Sequence, residues 1–350
     1  MKRYFKAIMV SAMLAFSVLR ISEISSEVNS SVSRCLNVII PSLFITMAIS
    51  DYIISTRCFD YISHTFRPIA RILGLDEKLV PVLIISNVGG YPIGIRMLGG
   101  YVKRKELTEK QAGIIASYCF CSGPAFTIGT IGVCVYNNNR IGAAVYASII
   151  IANLLTAMII NRLFGINKIK LESQAVSESI ESKIISSVET ASKALFSMCS
   201  VIIAFSIVIV AVNEFLIFMN ISERSIIGVI IRSIVDVTNI VNINGHNSVI
   251  LPVVTFVISL GGLCVWAQCI KLNNKSIDLL RCFLLRIVVS VLSAVVFYTL
   301  FSEICKDSVS ANVRNPHIIV NIDNFVPSFC LIIMIFLFFL KKRLAFKKKV

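Results

Sequence analysis

The chain has 350 residues, 56% of them hydrophobic and 15% charged, with a mean hydropathy of +0.84. A soluble domain of this size does not carry so little charge, so the composition points to a polytopic membrane protein. The net charge of +15 sits in basic clusters that flank apolar runs, the pattern that keeps such loops cytoplasmic, and this argues against nucleic-acid binding.

Lys2 and Arg3 precede an apolar run from Tyr4 to Ile21. No small-x-small cleavage site follows it in Ser22-Glu23-Ile24-Ser25-Ser26, so the run is expected to stay as an anchor with a cytoplasmic N-terminus. A second span is expected from Cys35 to Ile54, with Pro41 marking a helix packed inside the bundle and Asp51 near its interfacial end.

After Arg57, Arg67 and Arg71 comes Asn87-Val88-Gly89-Gly90-Tyr91-Pro92-Ile93-Gly94, set between the apolar arms Leu79–Ile85 and Ile93–Leu98. Three glycines and a proline in so short a stretch stop a helix, and each arm is far shorter than the ~20 residues that cross a bilayer. Lys103-Arg104-Lys105 on the far side repeats the basic flank, so the segment reads as a re-entrant hairpin with both ends inside. The alternative is an ordinary turn between two short buried helices outside the membrane.

The next span, Gln111 to Tyr136, contains a second break at Cys121-Ser122-Gly123-Pro124, where Ser122 and Thr127 can supply polar groups. Contact between helices through small residues accounts for the same pattern equally well. Asn137 to Arg140 turn the chain, and Ile141 to Ile160 return it. Val176, Ile180, Ile184 and Val188 recur every fourth position in the polar stretch 166–193, which predicts an amphipathic interfacial helix.

A second half then repeats the order of the first. Ala194 to Phe218 is a long span, and Ile226 to Val235 leads into the polar interruption Asp236-Val237-Thr238-Asn239. Val249 to Ile270 crosses with Ser259-Leu260-Gly261-Gly262 and Gln268 inside it. Exchanging these roles, with 222–245 crossing and 248–270 as the hairpin, fits the charge bias equally well. Leu279 to Phe301 and Phe325 to Leu340 close the chain before the tail Lys341-Lys342-Arg343 and Lys347-Lys348-Lys349.

No GxxxxGK[ST], HExxH or GxSxG occurs, and His64, His246 and His317 fall in loops. No enzyme activity, cofactor or metal site is therefore expected. Most of the 11 cysteines, among them Cys119, Cys121, Cys134, Cys199, Cys264 and Cys269, lie in apolar segments without a CxxC pair and read as small buried hydrophobes.

Gly89-Gly90-Tyr91-Pro92-Ile93-Gly94, Ser122-Gly123-Pro124 and Ile128-Gly129-Thr130-Ile131-Gly132 resemble the sporulation integral membrane proteins of the YlbJ type, members of the nucleoside-recognition or Gate domain family. Val235-Asp236-Val237-Thr238-Asn239 is similar to the family's Glu-Val-Thr segment with Asp for Glu. Gly261-Gly262-Leu263-Cys264-Val265-Trp266-Ala267-Gln268 is similar to its Gly-Gly-Leu-x-Val-His-x-Gln segment with Trp for His. The resemblance covers roughly residues 30–300. It implies an architecture like that of concentrative nucleoside transporters, a spore-forming bacterial source, and passage of a solute such as dipicolinate.

The expected fold is thus an all-α polytopic membrane protein, with about eight transmembrane helices plus two re-entrant hairpins in an inverted repeat. The expected parts are an anchor (1–30), a first repeat (31–165, hairpin 77–101), the interfacial helix (166–193), a second repeat (194–303, hairpin 222–246) and a C-terminal helix with a basic tail (304–350). Both termini are expected in the cytoplasm of a bacterial cell, forespore or mother-cell membrane. The expected function is secondary transport of a small polar, anionic solute, with nucleoside transport, metal-ion transport or a non-transporting assembly role as alternatives. Its partners would be the bilayer, the solute, a coupling cation (H+ or Na+) and other copies of itself. The solute site is expected at Asn87, Gly89, Gly90, Tyr91, Gly94, Ser122, Gly123, Thr127, Asp236, Thr238, Asn239, Ser259, Gly261, Gly262 and Gln268. Arg96 and Arg232, one from each hairpin, would supply its positive charge, and Asp236 the coupling group.

Overall fold

The computed structural model describes residues 2–56, 64–166, 169, 171, 180–223, 225–243, 248–273 and 276–303. Among them all regular structure is helical, and four stretches are long and apolar enough to cross a membrane: Asn139–Leu163, Lys183–Phe218, Leu251–Asn273 and Leu279–Leu300. The molecule is an all-α protein compatible with insertion in a bilayer. The expected last span, 325–340, and the basic tail lie outside the described residues.

The N-terminal run forms α1 (Lys2–Leu19), whose Met13, Leu14, Val18 and Leu19 are exposed. The polar stretch after it is helical: α2 (Ile21–Arg34) joins α3 (Ile40–Thr56) through a wide π turn at Cys35–Ile39. Pro41 explains the widening, because it lacks an N–H and its ring clashes with the carbonyl one turn back. A short helix α4 (Arg67–Leu73), closed by Gly74 in the left-handed region at φ 63°, leads to the first glycine-rich segment.

That segment is a helical hairpin, as its composition predicts. α5 (Val80–Gly89) and α6 (Tyr91–Lys103) are separated by Gly90 at φ 101° and ψ 169°, a region essentially reserved for glycine, and Pro92 restarts the helix in its first turn. The arms fold together: Tyr101 Oη donates to the Lys78 carbonyl at 3.3 Å. A Cβ on Gly94 would sit 3.0 Å from that of Ser86 and would overlap the Cys119 carbonyl.

α7 (Glu109–Tyr118), started by a Thr108–Gln111 capping box, stops at Cys119. The chain resumes after Pro124 as the π-helical segment Ala125–Val135. α8 (Asn139–Leu163) packs on it through glycine, since a Cβ on Gly132 would lie 2.9 Å from the Gly142 Cα.

α9 runs from Ile180 to Phe218 without interruption. Residues 180–193 are therefore its first turns, not a separate interfacial helix, and Val176 lies outside the described residues. Ile184 is exposed and Val188 half-buried, while Lys183 and Ser187 on the other face are buried. The fourfold apolar spacing is real, but it marks the outer face of the helix.

At the end of the bundle where α9 stops, Gly228 of α10 (Ile226–Val235) packs against Ser222 and Glu223. α10 ends at Asp236, a 3-10 segment follows at Val237–Asn242, and α11 (Leu251–Leu260) begins after Ser248–Ile250. Residues 224 and 244–246 of the expected second hairpin lie outside the described residues. α11 runs antiparallel to α13 (Leu279–Leu300), with Pro252 beside Tyr298 at one end and Ser259 bonded to Arg286 halfway along. α12 (Gly262–Asn273) continues to the opposite end, where Ser276 faces Gly99 and the Asp278 N–H bonds the Glu109 carbonyl at 3.1 Å. The stretch 251–273 is thus a broken helical run, long and apolar enough to cross a membrane, that continues past Gly261 instead of folding back on itself.

Candidate functional site

Four helices break at one place. A Cβ on Gly123 would lie 3.0 Å from the Val88 carbonyl and 3.7 Å from the Gly90 nitrogen, so the α7 break rests on the hairpin tip. One on Gly261 would meet Phe120 at 2.8 Å and Tyr91 at 3.2 Å, and one on Gly262 the Val237 nitrogen at 2.9 Å. Gly261 and Gly262 both have positive φ, 90° and 69°. No L side chain fits these positions without strain or overlap, which is the reason for glycine here.

Arg286 of α13 stands at the meeting point and is fully buried. Its Nε donates to the Ser259 carbonyl and its Nη2 to Ser259 Oγ, each at 2.8 Å. Nη1 donates to the Ser117 carbonyl at 3.0 Å and to Asn153 Oδ1 at 2.7 Å. Asn153 Nδ2 in turn donates to Asn87 Oδ1 at 2.6 Å, and Asn87 Nδ2 to the Leu83 carbonyl at 2.7 Å. Tyr146 holds the Asn87 carbonyl at 3.2 Å.

Every acceptor of Arg286 is neutral, and one of its five N–H donors is uncommitted. Among the described residues no carboxylate lies within ion-pair distance of it. Its guanidinium carbon lies 5.4 Å from the centroid of Phe120, which stacks on Trp266 at 4.7 Å and tilts against Tyr91 at 5.0 Å. Hydrogen bonds and a ring face satisfy the group in part, but among the described residues its charge has no counter-ion. Where such a charge lies at membrane depth it costs on the order of 3 kcal/mol by insertion scales and marks a functional group by default.

Of the expected residues, Asn87, Gly89, Gly90, Tyr91, Ser122, Gly123, Ser259, Gly261 and Gly262 are brought together here. Tyr91 Oη bonds the Ile258 carbonyl, and Ser122 shares a 2.7 Å hydrogen bond with Thr127, which also donates to the Gly123 carbonyl at 3.2 Å. Gly94 acts one turn away, by letting α6 approach Cys119. Gln268 is buried against Cys264 Sγ at 3.5 Å, outside the Arg286 network.

The two arginines expected to charge the site do not reach it. Arg96 pairs with Asp51 at 2.7 Å, so Asp51 is its partner and not a bare helix end. Arg232 lies 3.8 Å from Glu223 and donates to Asn239 Oδ1 at 3.3 Å. A pair between Arg232 and Asp236 is not formed. The Asp236 carboxylate accepts from the Thr238 N–H at 3.1 Å and Oγ1 at 2.9 Å, while Asn239 Nδ2 reaches the Asp236 carbonyl at 3.2 Å. The more distant charges acting on Asp236 are Arg34 and Glu27.

Arg286, Asn153, Ser117 and Phe120 were missed by sequence reasoning. The available signal was an arginine and an asparagine inside apolar runs, each costly unless partnered. Among the described residues no group of three or more His, Cys, Asp or Glu side chains is placed to hold a metal ion. Compared with known protein families, curated proteins and solved structures, the chain has no match.

Proposed function

We propose that this protein is a secondary transporter for a small anionic solute, with Arg286 as the charge that binds it. The observation that carries this reading is the meeting of four helix breaks around a fully buried arginine without a carboxylate partner. Broken helices at mid-depth free backbone groups and permit local movement, which alternating access requires. Ser259 and Asn153 supply hydrogen-bond acceptors but no negative charge. A solute carboxylate taking their place would restore both, in the paired geometry that suits a guanidinium.

In this reading α5–α6 and the 222–246 region are opposed re-entrant hairpins of an inverted repeat. Within it the chain enters hairpin one and hairpin two from opposite ends of the bundle. The apolar runs and their basic flanks support about eight spans with cytoplasmic termini, and the YlbJ-type resemblance supports a bacterial membrane linked to sporulation and a dipicolinate-like dicarboxylate. Asp236, buried at the second hairpin's break, is the group proposed to carry a coupling H+ or Na+.

Uptake by proteoliposomes tests the reading. Purified protein is expected to accumulate a small organic anion down an imposed proton or sodium gradient, and Arg286→Gln to abolish it. Uptake of nucleosides or divalent metal with no anion uptake would replace the solute class. Transport of none of these would leave a membrane assembly role.

A further inference from the structure

Charged residues on α9 set a scale of depth. Lys193, paired with Glu189 at 2.7 Å, and Glu214, paired with Arg20 at 2.7 Å, are 21 residues apart (214 minus 193) with no charged residue between them. At 1.5 Å per residue this spans about 32 Å, close to the thickness of a hydrocarbon core. α2 lies along the Glu214 half of that slab. Ser206 Oγ donates to Ser31 Oγ at 2.9 Å, and Cys35, one residue past α2, meets Cys199.

Yet α2 is polar around most of its circumference. At 100° per residue Ser22, Ser25, Ser26, Asn29, Ser30 and Ser33 share one arc, and all six are exposed. Exposed side chains elsewhere at this depth are of the opposite kind, as Val208 and Ala211 on α9 show. The inner edge of α2 carries the Glu27–Arg34 pair at 2.8 Å, and Arg34 Nε is buried without a partner. Asp236 lies near enough to this pair for both charges to act on it. Hydroxyls, an amide and an ion pair together are poorly solvated by hydrocarbon.

We infer that the outer arc of α2 faces water within the membrane slab. It forms the wall of an aqueous path that enters at the Arg20–Glu214 end and stops at Glu27, Arg34 and Asp236. The path admits hydrated ions and small polar solutes to the second-half break. This inference rests on the membrane-spanning part of the proposed function, and it gives that site an entrance.

Thiol labelling in native membranes tests it without any solute. Ser26→Cys, Asn29→Cys and Ser33→Cys change exposed side chains, and labelling of the unsubstituted protein serves as the blank. Small charged, membrane-impermeant thiol reagents are expected to modify all three about tenfold or more faster than Val208→Cys and Ala211→Cys, because only a hydrated thiol ionises and reacts. Rates as slow as those controls would overturn the path. So would a disulfide-linked dimer at Ser26→Cys in place of reagent modification, which would assign the arc to a second copy. Rapid labelling with no transport would leave the path standing and remove the transporter reading alone.

Discussion

α5–α6 and α11–α12 begin from nearly the same local chemistry and end in different shapes. Each first arm is ten residues long, carries proline in its first turn (Pro81, Pro252) and stops at a glycine pair. Three residues before the second glycine stands Asn87 in one and Ser259 in the other, and both feed the Arg286 network. Four residues after it stands Gly94 in one and Trp266 in the other. Without a side chain at Gly94, α6 folds back against Ser86 and the Cys119 carbonyl. Trp266 fills that volume instead, stacks on Phe120 and donates Nε1 to the Leu260 carbonyl at 3.0 Å, capping the arm it leaves behind. A glycine pair therefore breaks the helix, and the next turn decides whether the chain turns back or goes on.

Breaking the hairpin arm should have the largest effect. Gly94→Val puts a branched side chain into backbone, and we expect a loss of about 3 kcal/mol or more, read as a lower apparent Tm of the detergent-purified protein. Gly129→Ala, where a Cβ meets nothing within 4 Å, should change stability by no more than about 0.5 kcal/mol. An equal drop in both would show that the hairpin is not held by the Gly94 contact.

Cutting the link between the two regions should come next. Asn153→Leu strands one donor of Arg286 and the acceptor of Asn87, for a cost of about 2–3 kcal/mol. Asn153→Asp should recover stability by giving Arg286 a carboxylate, and should at the same time remove anion binding; retained binding would mean that the counter-ion position is elsewhere. The smallest effects belong to the crossing arm. Trp266→Phe loses the cap and Ser259→Ala loses one acceptor, each worth about 1 kcal/mol in thermal or denaturant unfolding.

Much of this was legible in the sequence because glycine and proline act locally. The hairpin at Gly89–Gly90 and the break at Cys121-Ser122-Gly123-Pro124 follow from backbone rules that hold whatever surrounds them, and the interruption at Asp236 from a polar run between apolar ones. Identity of the charged centre did not follow, because pairing is a property of tertiary contact. Arg96 and Arg232 look alike as lone hairpin arginines, yet Asp51 and Glu223 reach them from other elements or turns. Arg286 passes for one more basic residue near Arg281 until α13 is seen to place it against Ser117, Asn153 and Ser259. The helicity of α2 was hidden for another reason: a serine-rich stretch lacks an apolar stripe, and its packing on α9 supplies the stabilisation that propensity does not.

The most direct test is equilibrium binding of small anions to purified protein at constant ionic strength, followed as a rise in apparent Tm, since a ligand that binds the native state stabilises it. Mono- and dicarboxylates should be compared with neutral molecules of the same shape, in the native protein and in Arg286→Gln, Arg96→Gln and Arg232→Gln. We expect at least one carboxylate to stabilise the native protein, and the Arg96 and Arg232 variants to keep that response. Arg286→Gln should abolish it. Undiminished stabilisation of Arg286→Gln by the same anion would contradict the assignment of Arg286 as the binding charge.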